Sequence, residues 1–416
     1  MLSTPIVHGQ QDDRVRINEI QMIGTHNSYH AGLPPSAGKL LREKNPKVFA
    51  ALNYRHPSLT TQLNEGVRQM EIDVFADPEG GLYSHPYIER MVAAAGLPPD
   101  PPYNQNGVMD KPGFKVMHRQ DIDQRSVCEP FTDCLAEIQV WSKAHPRHLP
   151  IFLLIETKQR PLKVKFPSVQ PIPFTSAVFD VLDRAILSVF PVDELITPDD
   201  VRGRYPTLNA AVRAGQWPTL AKARGKIVFL MDQRPMEPLY TEGHPSLRGR
   251  VLFTNGTPGE PDAAFTEANG ASPEVINELV REGYLVRTRT DGAAQARYDD
   301  TRRRDAMKRT GAQILSTDYP RGEAARSGYV VEFSGGALVR CNPVLRALGC
   351  TDSELLPEKE RTSVASPQRW SSCIDPTISG HGPSDSGDGG KALKFPQVYL
   401  AGCRASAQAF SLKEHH

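Results

Sequence analysis

The hydrophobic positions of this chain fall into short apolar or β-rich runs that polar segments separate. Each run has the length of a strand rather than that of a helix. Helix-like segments that close on glycine precede several runs, at Gly66, Gly225, Gly283 and Gly311, and glycine readily adopts the left-handed conformation that ends a helix. Eight runs predict strands, at residues 20–25, 67–75, 114–118, 151–156, 226–231, 251–254, 284–289 and 313–317.

Helical periodicity fills several of the intervals between these runs. Residues 175–190 place apolar side chains on one face at helical spacing, after the breakers Pro171 and Pro173. The sequence Ser272-Pro273-Glu274 predicts an N-cap, a first-turn proline and a favourable acid at the start of another helix. Strands that alternate with helices predict a parallel sheet, and eight such units close into a barrel. We therefore expect an α/β fold, a TIM-like (β/α)8 barrel, regular or distorted.

An open doubly wound sheet is the alternative architecture. It usually carries a glycine-rich phosphate loop after an early strand, and neither G-x-G-x-x-G nor G-x-x-x-x-G-K-[ST] occurs in this sequence. The barrel prediction assigns residues 1–321 to a catalytic domain with a proline-rich inserted loop at 76–113. Residues 322–416 are then a C-terminal extension, with a hairpin within 328–340 and cysteine-containing loops.

Composition excludes some classes of protein. The 416 residues are 39% hydrophobic, which is enough for a large core. The 49 Lys and Arg are balanced by 48 Asp and Glu, so we expect no nucleic-acid partner. No apolar stretch approaches the length of a membrane span, and the first residues lack the charged and apolar halves of a secretion signal. Any such signal has been removed or never existed.

The six cysteines form no C-x-x-C pair and no zinc-finger spacing. Cys128 and Cys134 could close a short loop, and four cysteines in the last quarter could pair among themselves. Disulfides would favour a secreted or periplasmic protein, with free buried thiols as the alternative. The four late cysteines are Cys341, Cys350, Cys373 and Cys403.

Three carboxylates and one amide are associated with three of the runs. Glu71 and Asp73 are alternate residues of one predicted strand, so they face the same way. Glu156 ends the most apolar run, and Asn27 follows the first run with an amide oxygen. Burying such a pair of carboxylates costs several kcal/mol, roughly, unless a cation, an arginine or a shared proton offsets the repulsion. An oxygen-only set of ligands suits calcium, and less well magnesium, whereas it suits zinc poorly.

Two histidines and three basic residues lie near these acids in the predicted fold. His26 and His118 close the first and third runs, and displacement at phosphorus needs one proton-transfer group on each side. Arg287 and Arg289 share a face of the seventh run and could bind a phosphate, or else form ion pairs. Lys158, which follows the fourth run, is a weaker candidate of the same kind.

Other polar residues carry simpler predictions. Asp121 and Asp123 lack the pattern of a calcium-binding loop, so capping and turn formation account for them. Asp232 is a weak substrate-binding candidate. His30 and His56 lie in polar or proline-rich segments and have no assigned role.

Four motifs in this order resemble the Ca2+-dependent phosphoinositide-specific phospholipase C family, especially its bacterial secreted branch. The His-Asn pair followed by E-x-D is the most specific part, and the resemblance covers roughly the first 320 residues. The motifs are GTHNSY at 24–29, MEID at 70–73, VMH at 116–118 and LIE at 154–156.

The resemblance implies a phosphodiesterase with a distorted (β/α) barrel that cleaves phosphatidylinositol through an inositol cyclic phosphate. It implies that His26 activates the inositol 2-hydroxyl or steadies the phosphorane, and that His118 protonates the departing glycerol oxygen. The implied substrate is a phosphoinositide lipid or a soluble inositol phosphodiester, met by a monomer in transient contact with a membrane surface. The implied Ca2+ ligands are Asn27, Glu71, Asp73 and Glu156.

Two alternatives stay open at this point. Glycerophosphodiester phosphodiesterases share the first histidine and E-x-D but usually carry arginine where this chain has Asn27. A non-catalytic barrel that binds a lipid head group is the second, although such a protein has no need of paired proton-transfer residues.

Overall fold

The computed structural model describes residues 11–356, which belong to one compact unit that extends from Met1 to Pro367. Its strands are β1 Ile20–Thr25, β2 Gln69–Asp77, β3 Gly113–Val116, β4 Ile151–Thr157, β5 Ile227–Met231, β6 Leu252–Phe253, β7 Phe265–Glu267, β8 Leu285–Arg289, β9 Ile314–Thr317 and β10 Val339–Cys341. Its helices are α1 Pro35–Lys44, α2 Pro46–Leu52, α3 Leu59–Asn64, α4 Tyr87–Ala94, α5 Phe131–Ala144, α6 Ser176–Val189, α7 Pro198–Arg202, α8 Leu208–Arg213, α9 Leu220–Ala223, α10 Glu237–Thr241, α11 Pro273–Arg281, α12 Ala293–Arg297, α13 Arg302–Arg309 and α14 Asp352–Leu355.

The strands form two five-stranded sheets that are mostly parallel. One has the order β10-β1-β9-β8-β7 and the other the order β3-β2-β4-β5-β6. Strands β2, β4 and β5 are buried along nearly their whole length, as the near-continuous apolar runs of parallel strands require. The α/β class and all eight predicted strands are confirmed. Strands β7 and β10 were not predicted.

The third predicted strand has the wrong direction. A strand of a (β/α)8 barrel would run parallel to its neighbours, but β3 pairs with β2 antiparallel, with Val74 opposite Val116 and Asp77 opposite Gly113. Strand β2 extends to Asp77, and the chain then returns along it. His118, two residues beyond β3, is thereby carried back to the level of Ile72 and Asp73.

The predicted hairpin within residues 328–340 is also wrong in its pairing. Strand β10 pairs antiparallel with β1, with Ile20 opposite Cys341 and Met22 opposite Val339. The sequence pattern gives no information about such a distant partner, so the start of the predicted extension is instead an edge of the first sheet.

Two disulfides lie within the described residues. Cys128, which precedes α5, is bonded to Cys134 in the first turn of that helix. Cys341, the last residue of β10, is bonded to Cys350. Both pairs were among those that the sequence allowed. The other two cysteines for which disulfides were predicted, Cys373 and Cys403, lie outside the described residues.

The segments inserted after β1 and after β2 pack together as a small layer of helices. Helices α1 and α2 follow β1, and α4 lies in the 76–113 insertion that follows β2. A separate apolar cluster joins them through Leu40, Leu52, Ile88 and Val92. The carboxylate of Asp100 accepts hydrogen bonds from the first backbone amides of α1, at 2.7 and 2.9 Å, which satisfies donors that a helix start leaves open.

Helix starts follow the capping residues that the sequence indicates. Thr175 caps α6, and Ser272 caps α11 with Pro273 in its first turn. Among residues 11–356 there is no helix with the length and apolar character that a membrane crossing requires.

Candidate functional site

The predicted acids converge where the middle of β2 lies beside the end of β4. Asp73 lies directly opposite Glu156 in the parallel register of these strands, and Glu71 lies two residues before Asp73 on the same face. Ligand oxygens of all three carboxylates are within 4.8 Å of one another. Glu71 and Asp73 are buried and Glu156 is half-buried. Carboxylates this close together repel each other, so a cation or a basic side chain must offset their negative charge.

The arrangement fits a hard divalent cation. Oxygens that bind Ca2+ at about 2.3–2.6 Å cannot lie more than about 5 Å apart, and the three carboxylates meet this limit. Asn27 has a buried side-chain oxygen with no hydrogen-bond partner among the described residues, while its amide nitrogen donates to the Tyr54 hydroxyl at 2.6 Å. A buried acceptor without a donor is costly, and a cation would satisfy it.

Asn27 owes its position to an unusual backbone conformation. Its φ is 48°, in the left-handed region that asparagine tolerates better than most residues. The next residue, Ser28, donates its backbone N–H to the Glu71 carbonyl at 2.9 Å, and its hydroxyl accepts from the Glu71 N–H at 2.8 Å. These bonds fix the end of β1 beside β2, so Asn27 stands next to the acid cluster.

Two basic side chains compensate the acids within the protein. The Lys158 ammonium lies 2.9 Å from Asp73 Oδ2 and 2.9 Å from Glu156 Oε1. Arg287 donates to Glu71 Oε2 and lies 3.2 Å from Glu267 Oε2.

These contacts act on the pKa values of the acids. Burial raises the pKa of Asp73 well above its usual range, and the neighbouring Glu156 adds to this effect. Burial also acts to raise the pKa of Glu156, but Lys158 outweighs it and holds that pKa below its usual value. Lys158 contacts both carboxylates, so the opposite shifts of the two pKa values follow from burial, which is deeper for Asp73 than for Glu156.

His26 is held between two acids. Its Nδ1 lies 2.7 Å from Asp318 Oδ1, and its Nε2 lies 3.5 Å from Glu71 Oε1. Arg289 pairs with Asp318 at 3.0 Å and with Asp291 at 3.3 Å. Burial, with help from Arg289, lowers the pKa of His26 to about 3. His26 is therefore neutral near pH 7, with one nitrogen directed at the acid cluster.

His118 has an equivalent arrangement, close enough to Glu156 and Lys158 for their charges to act on one another. Its Nδ1 lies 2.9 Å from Asp123 Oδ2, and the same carboxylate lies 2.9 Å from Nε2 of the buried His30. Burial lowers the pKa of His118, while Asp123 opposes that effect. Burial also acts to raise the pKa of Asp123, but His30 and His118 outweigh it and hold that pKa far below its usual value.

The structure thus brings together all of the predicted acids and both predicted histidines. Asn27 adjoins them. The three predicted basic residues are also at the site, but each is paired with acidic groups, and Arg287 is only 3% exposed. Asp232, the weaker candidate, is next to Glu267, and burial raises the pKa of its carboxyl.

Sequence reasoning missed the partners of the two histidines. Asp318 directly follows β9, so the rule that identified the other residues, a polar group at a strand end, could have found it. Asp123 was assigned to capping and turns, which is wrong, because its carboxylate contacts two imidazoles. His56, which also had no assigned role, contacts the His26 carbonyl at 2.9 Å and Glu323 at 2.6 Å.

A comparison with protein families identifies the same family that the sequence motifs resemble. The sequence model of the family "Phosphoinositide phospholipase C, Ca2+-dependent" matches residues 15–343. A search of curated proteins found no match. Similar solved structures include the Ca2+-dependent phosphoinositol-specific phospholipase C of a Pseudomonas species, with 14% identity, a TM-score of 0.48, and coverage of 80% of this chain and 96% of that one. The Ca2+-dependent enzyme of Streptomyces antibioticus has 18% identity, a TM-score of 0.46, and coverage of 73% and 95%.

The family match spans most of the chain and includes the predicted acids, both histidines and Asn27. The chain belongs to the Ca2+-dependent phosphoinositide phospholipase C family.

Proposed function

We propose that this enzyme cleaves phosphatidylinositol, or a related inositol phosphodiester, by attack of the inositol 2-hydroxyl on phosphorus. The products are diacylglycerol and an inositol cyclic phosphate. The observation that carries this proposal is the convergence of three carboxylates near two histidines, each of which is held by an aspartate. Attack and departure occur on opposite sides of a phosphorus, so a proton-transfer residue is needed on each side.

Asn27, Glu71, Asp73 and Glu156 are the residues that would hold Ca2+. When bound, the ion lowers the pKa of the attacking hydroxyl and neutralises charge on the phosphate. The chain's own residues do the remaining work. Arg287 fixes Glu71 from behind, and Asn27 is fixed through Tyr54.

His26 is the residue that accepts the proton of the attacking hydroxyl or steadies the phosphorane. Asp318 holds its Nδ1, which leaves Nε2 directed at the acid cluster. Its lowered pKa keeps it neutral and able to accept a proton there.

His118 is the residue that protonates the glycerol oxygen as it leaves. Asp123 holds its Nδ1, so Nε2 is the nitrogen that gives up the proton. The negative charge of Asp123 stabilises the protonated imidazole and offsets part of the effect of burial on its pKa.

We also propose that the two sheets close into one distorted barrel. The eight strands β1, β2, β4, β5, β6, β7, β8 and β9 run parallel within their sheets, with β3 and β10 as antiparallel additions. A parallel bridge from Asn255 to Phe265 supports closure between β6 and β7. The bonds between Ser28 and Glu71 support closure between β1 and β2.

A membrane-facing surface follows from the same geometry. Helices α1 and α2 leave the site at His30 and return to it at His56. Four of their five exposed charged side chains are basic, so we propose that this pair of helices contacts the anionic surface of a lipid bilayer. Two disulfides support an exported protein, secreted or periplasmic. We propose that it acts as a monomer.

The function is tested by product analysis with phosphatidylinositol as the substrate. A cyclic inositol phosphate, detected by 31P NMR, is expected, and turnover should stop in excess chelator. Free glycerol phosphate from glycerophosphoinositol would instead indicate a glycerophosphodiester phosphodiesterase. Undiminished turnover in chelator would refute the role of calcium.

The proposed roles of His118 and Glu71 are tested by substitution. His118→Ala and Glu71→Gln should each lower kcat by at least about 100-fold with folding intact, because one removes a proton donor and the other removes a charged ligand. The matched control is His145→Ala at the carboxyl end of α5, where the imidazole contacts the Trp141 carbonyl and stacks on the Trp141 ring. Its kcat should stay within about twofold of the wild-type value. Near-normal rates in the first two variants would contradict the assigned roles.

A further inference from the structure

Lys158 occupies an unusual place beside the acid cluster. It lies two residues after Glu156, and its backbone N–H donates to the Val74 carbonyl at 2.9 Å, so its main chain is fixed beside β2. Its side chain turns back over the strand ends. The ammonium is 2.9 Å from Asp73 Oδ2 and 2.9 Å from Glu156 Oε1.

An ammonium in this position engages two of the three carboxylates that a metal ion would use. Ca2+ binds carboxylate oxygens at about 2.3–2.6 Å, and Lys158 is within hydrogen-bond distance of one oxygen from each of two carboxylates in the cluster. Two cations a few ångströms apart in a buried site repel each other strongly. Lys158 and Ca2+ therefore cannot both hold Asp73 and Glu156 in this geometry.

The second cation of the cluster behaves differently. Arg287 is 3% exposed, and its planar guanidinium is fixed by Glu71 on one side and Glu267 on the other. It therefore remains in place when the site fills. The Lys158 side chain is 17% exposed and has a flexible stem, so its ammonium can turn toward solvent.

We infer that Lys158 is a tethered counter-ion that Ca2+ must displace, so that this side chain weakens and sets the calcium affinity of the enzyme. The inference rests on the proposed calcium site. In the metal-free protein the lysine offsets the repulsion between Asp73 and Glu156. A bound Ca2+ would supply two positive charges where Lys158 supplies one, so the negative charges of Asp73 and Glu156 would be fully balanced.

The test is a calorimetric titration of CaCl2 into chelator-treated, full-length protein. Lys158→Met keeps the length and apolar stem of the side chain and removes its charge. The variant should bind calcium at least tenfold more tightly than the wild type, which corresponds to about 1.4 kcal/mol. If Lys158 instead helped to hold the metal, Lys158→Met would bind calcium more weakly than the wild type.

The matched control is Lys143→Met. Lys143 also pairs with a glutamate, with 3.5 Å between Lys143 Nζ and Glu194 Oε1, but it lies on α5 and is 60% exposed. Its removal changes the net charge equally and should leave the calcium affinity unchanged.

Thermal unfolding gives a second readout that does not depend on activity. Without calcium, Lys158→Met should melt below the wild type, because Asp73 and Glu156 then lack their cation. Added calcium should raise its Tm by more than it raises that of the wild type. A variant with an unchanged metal-free Tm would contradict the counter-ion role.

The outcomes separate this inference from the proposed function. If the wild type binds calcium and Lys158→Met binds it equally or more weakly, the displacement inference is overturned and the calcium site stands. If both proteins are folded and neither binds calcium, the site itself is wrong, and the inference fails with it.

Discussion

At the scale of single residues, two aspartates of one short loop have different tasks. Asp123 contacts both His118 and His30, whereas Asp121 accepts hydrogen bonds from the backbone N–H of Tyr87 at 3.1 Å and of Val169 at 2.7 Å. The first of these aspartates orients a proton-transfer residue. The second fixes the start of α4 and a neighbouring loop. They are close in sequence and identical in type, so they allow a controlled comparison.

Asp123→Asn should lower kcat by about 10–100-fold and leave KM nearly unchanged. The amide cannot accept from both imidazoles as the carboxylate does, so His118 loses its orientation and the charge that favours its protonated form. Steady-state kinetics on phosphatidylinositol, measured with the pH profile of kcat, check this expectation.

Asp121→Asn is the control for that experiment. It should cost about 1 kcal/mol of stability, the usual effect of weakening a helix cap, and keep a normal kcat. If it lowered kcat as much as Asp123→Asn does, the effect would belong to the loop as a whole. The orienting role of Asp123 would then be refuted.

Part of the site could be predicted because of where its residues lie in the sequence. His26 and Glu156 follow or end strongly apolar runs, where a core residue is not expected, and Glu71 is a charged residue within another such run. The bonds of Asp123 and Lys158 could not be predicted in this way. They depend on a turn in which Asp121 has φ 66° and on the register of β2 with β4, and neither is encoded in local periodicity.

At the scale of elements, the approach of β1 to β2 sets the distance between the first histidine and the acids. Gly24 in β1 lies against Gln69 in β2, and a Cβ at position 24 would be 2.8 Å from the Gln69 Cβ and closer still to its amide. A larger residue would therefore push the strands apart. His26 and Glu71 lie two residues beyond these two positions.

Gly24→Ala should lower the free energy of unfolding by about 1–3 kcal/mol, which is the usual cost of overpacking. It should also reduce calcium-dependent turnover, because His26 and Asn27 move away from Glu71. Denaturant unfolding and kinetics on the same preparation measure both effects.

The control is Gly38→Ala in α1, where a new Cβ would find only ordinary contacts, the nearest at 3.6 Å. Alanine favours a helix by about 1 kcal/mol over glycine, so this variant should be as stable as the wild type or more so, with normal turnover. Equal behaviour of the two variants would contradict the close approach of β1 and β2.

The limits of sequence prediction at this scale are physical. Periodicity reports burial, and it identified all eight runs. It does not report direction, so the antiparallel return of β3 was missed. Strands β7 and β10 have three residues each, which is too short to show a pattern, and they form because longer neighbours supply hydrogen-bond partners.

At the scale of the whole molecule, charge is distributed unevenly. The formal net charge is +1 for the entire chain. In contrast, the short segment that forms α1, α2 and the turn after them carries several exposed basic residues against a single acid, Glu43. Because this segment starts and ends at the site, a negatively charged surface in contact with it would lie beside the acid cluster. The basic residues are Lys39, Arg42, Lys44, Lys47 and Arg55.

The triple variant Lys39→Glu, Lys44→Glu and Lys47→Glu should bind vesicles of phosphatidylserine and phosphatidylcholine at least about 100-fold more weakly. Each basic residue near such a surface contributes about 1 kcal/mol, and reversal adds repulsion. Vesicle sedimentation measures the binding, and the difference should shrink as salt is added, because salt screens these charges. Turnover of a soluble inositol phosphodiester should be unchanged.

The control has the same change in net charge at the other end of the strands. Lys143, Lys222 and Arg281 are exposed and end or nearly end helices α5, α9 and α11, which lead into the starts of β4, β5 and β8. Their replacement by glutamate should weaken vesicle binding far less. If both triple variants lost binding equally, net charge would be the cause. The proposed orientation, with α1 and α2 against the bilayer, would then be wrong.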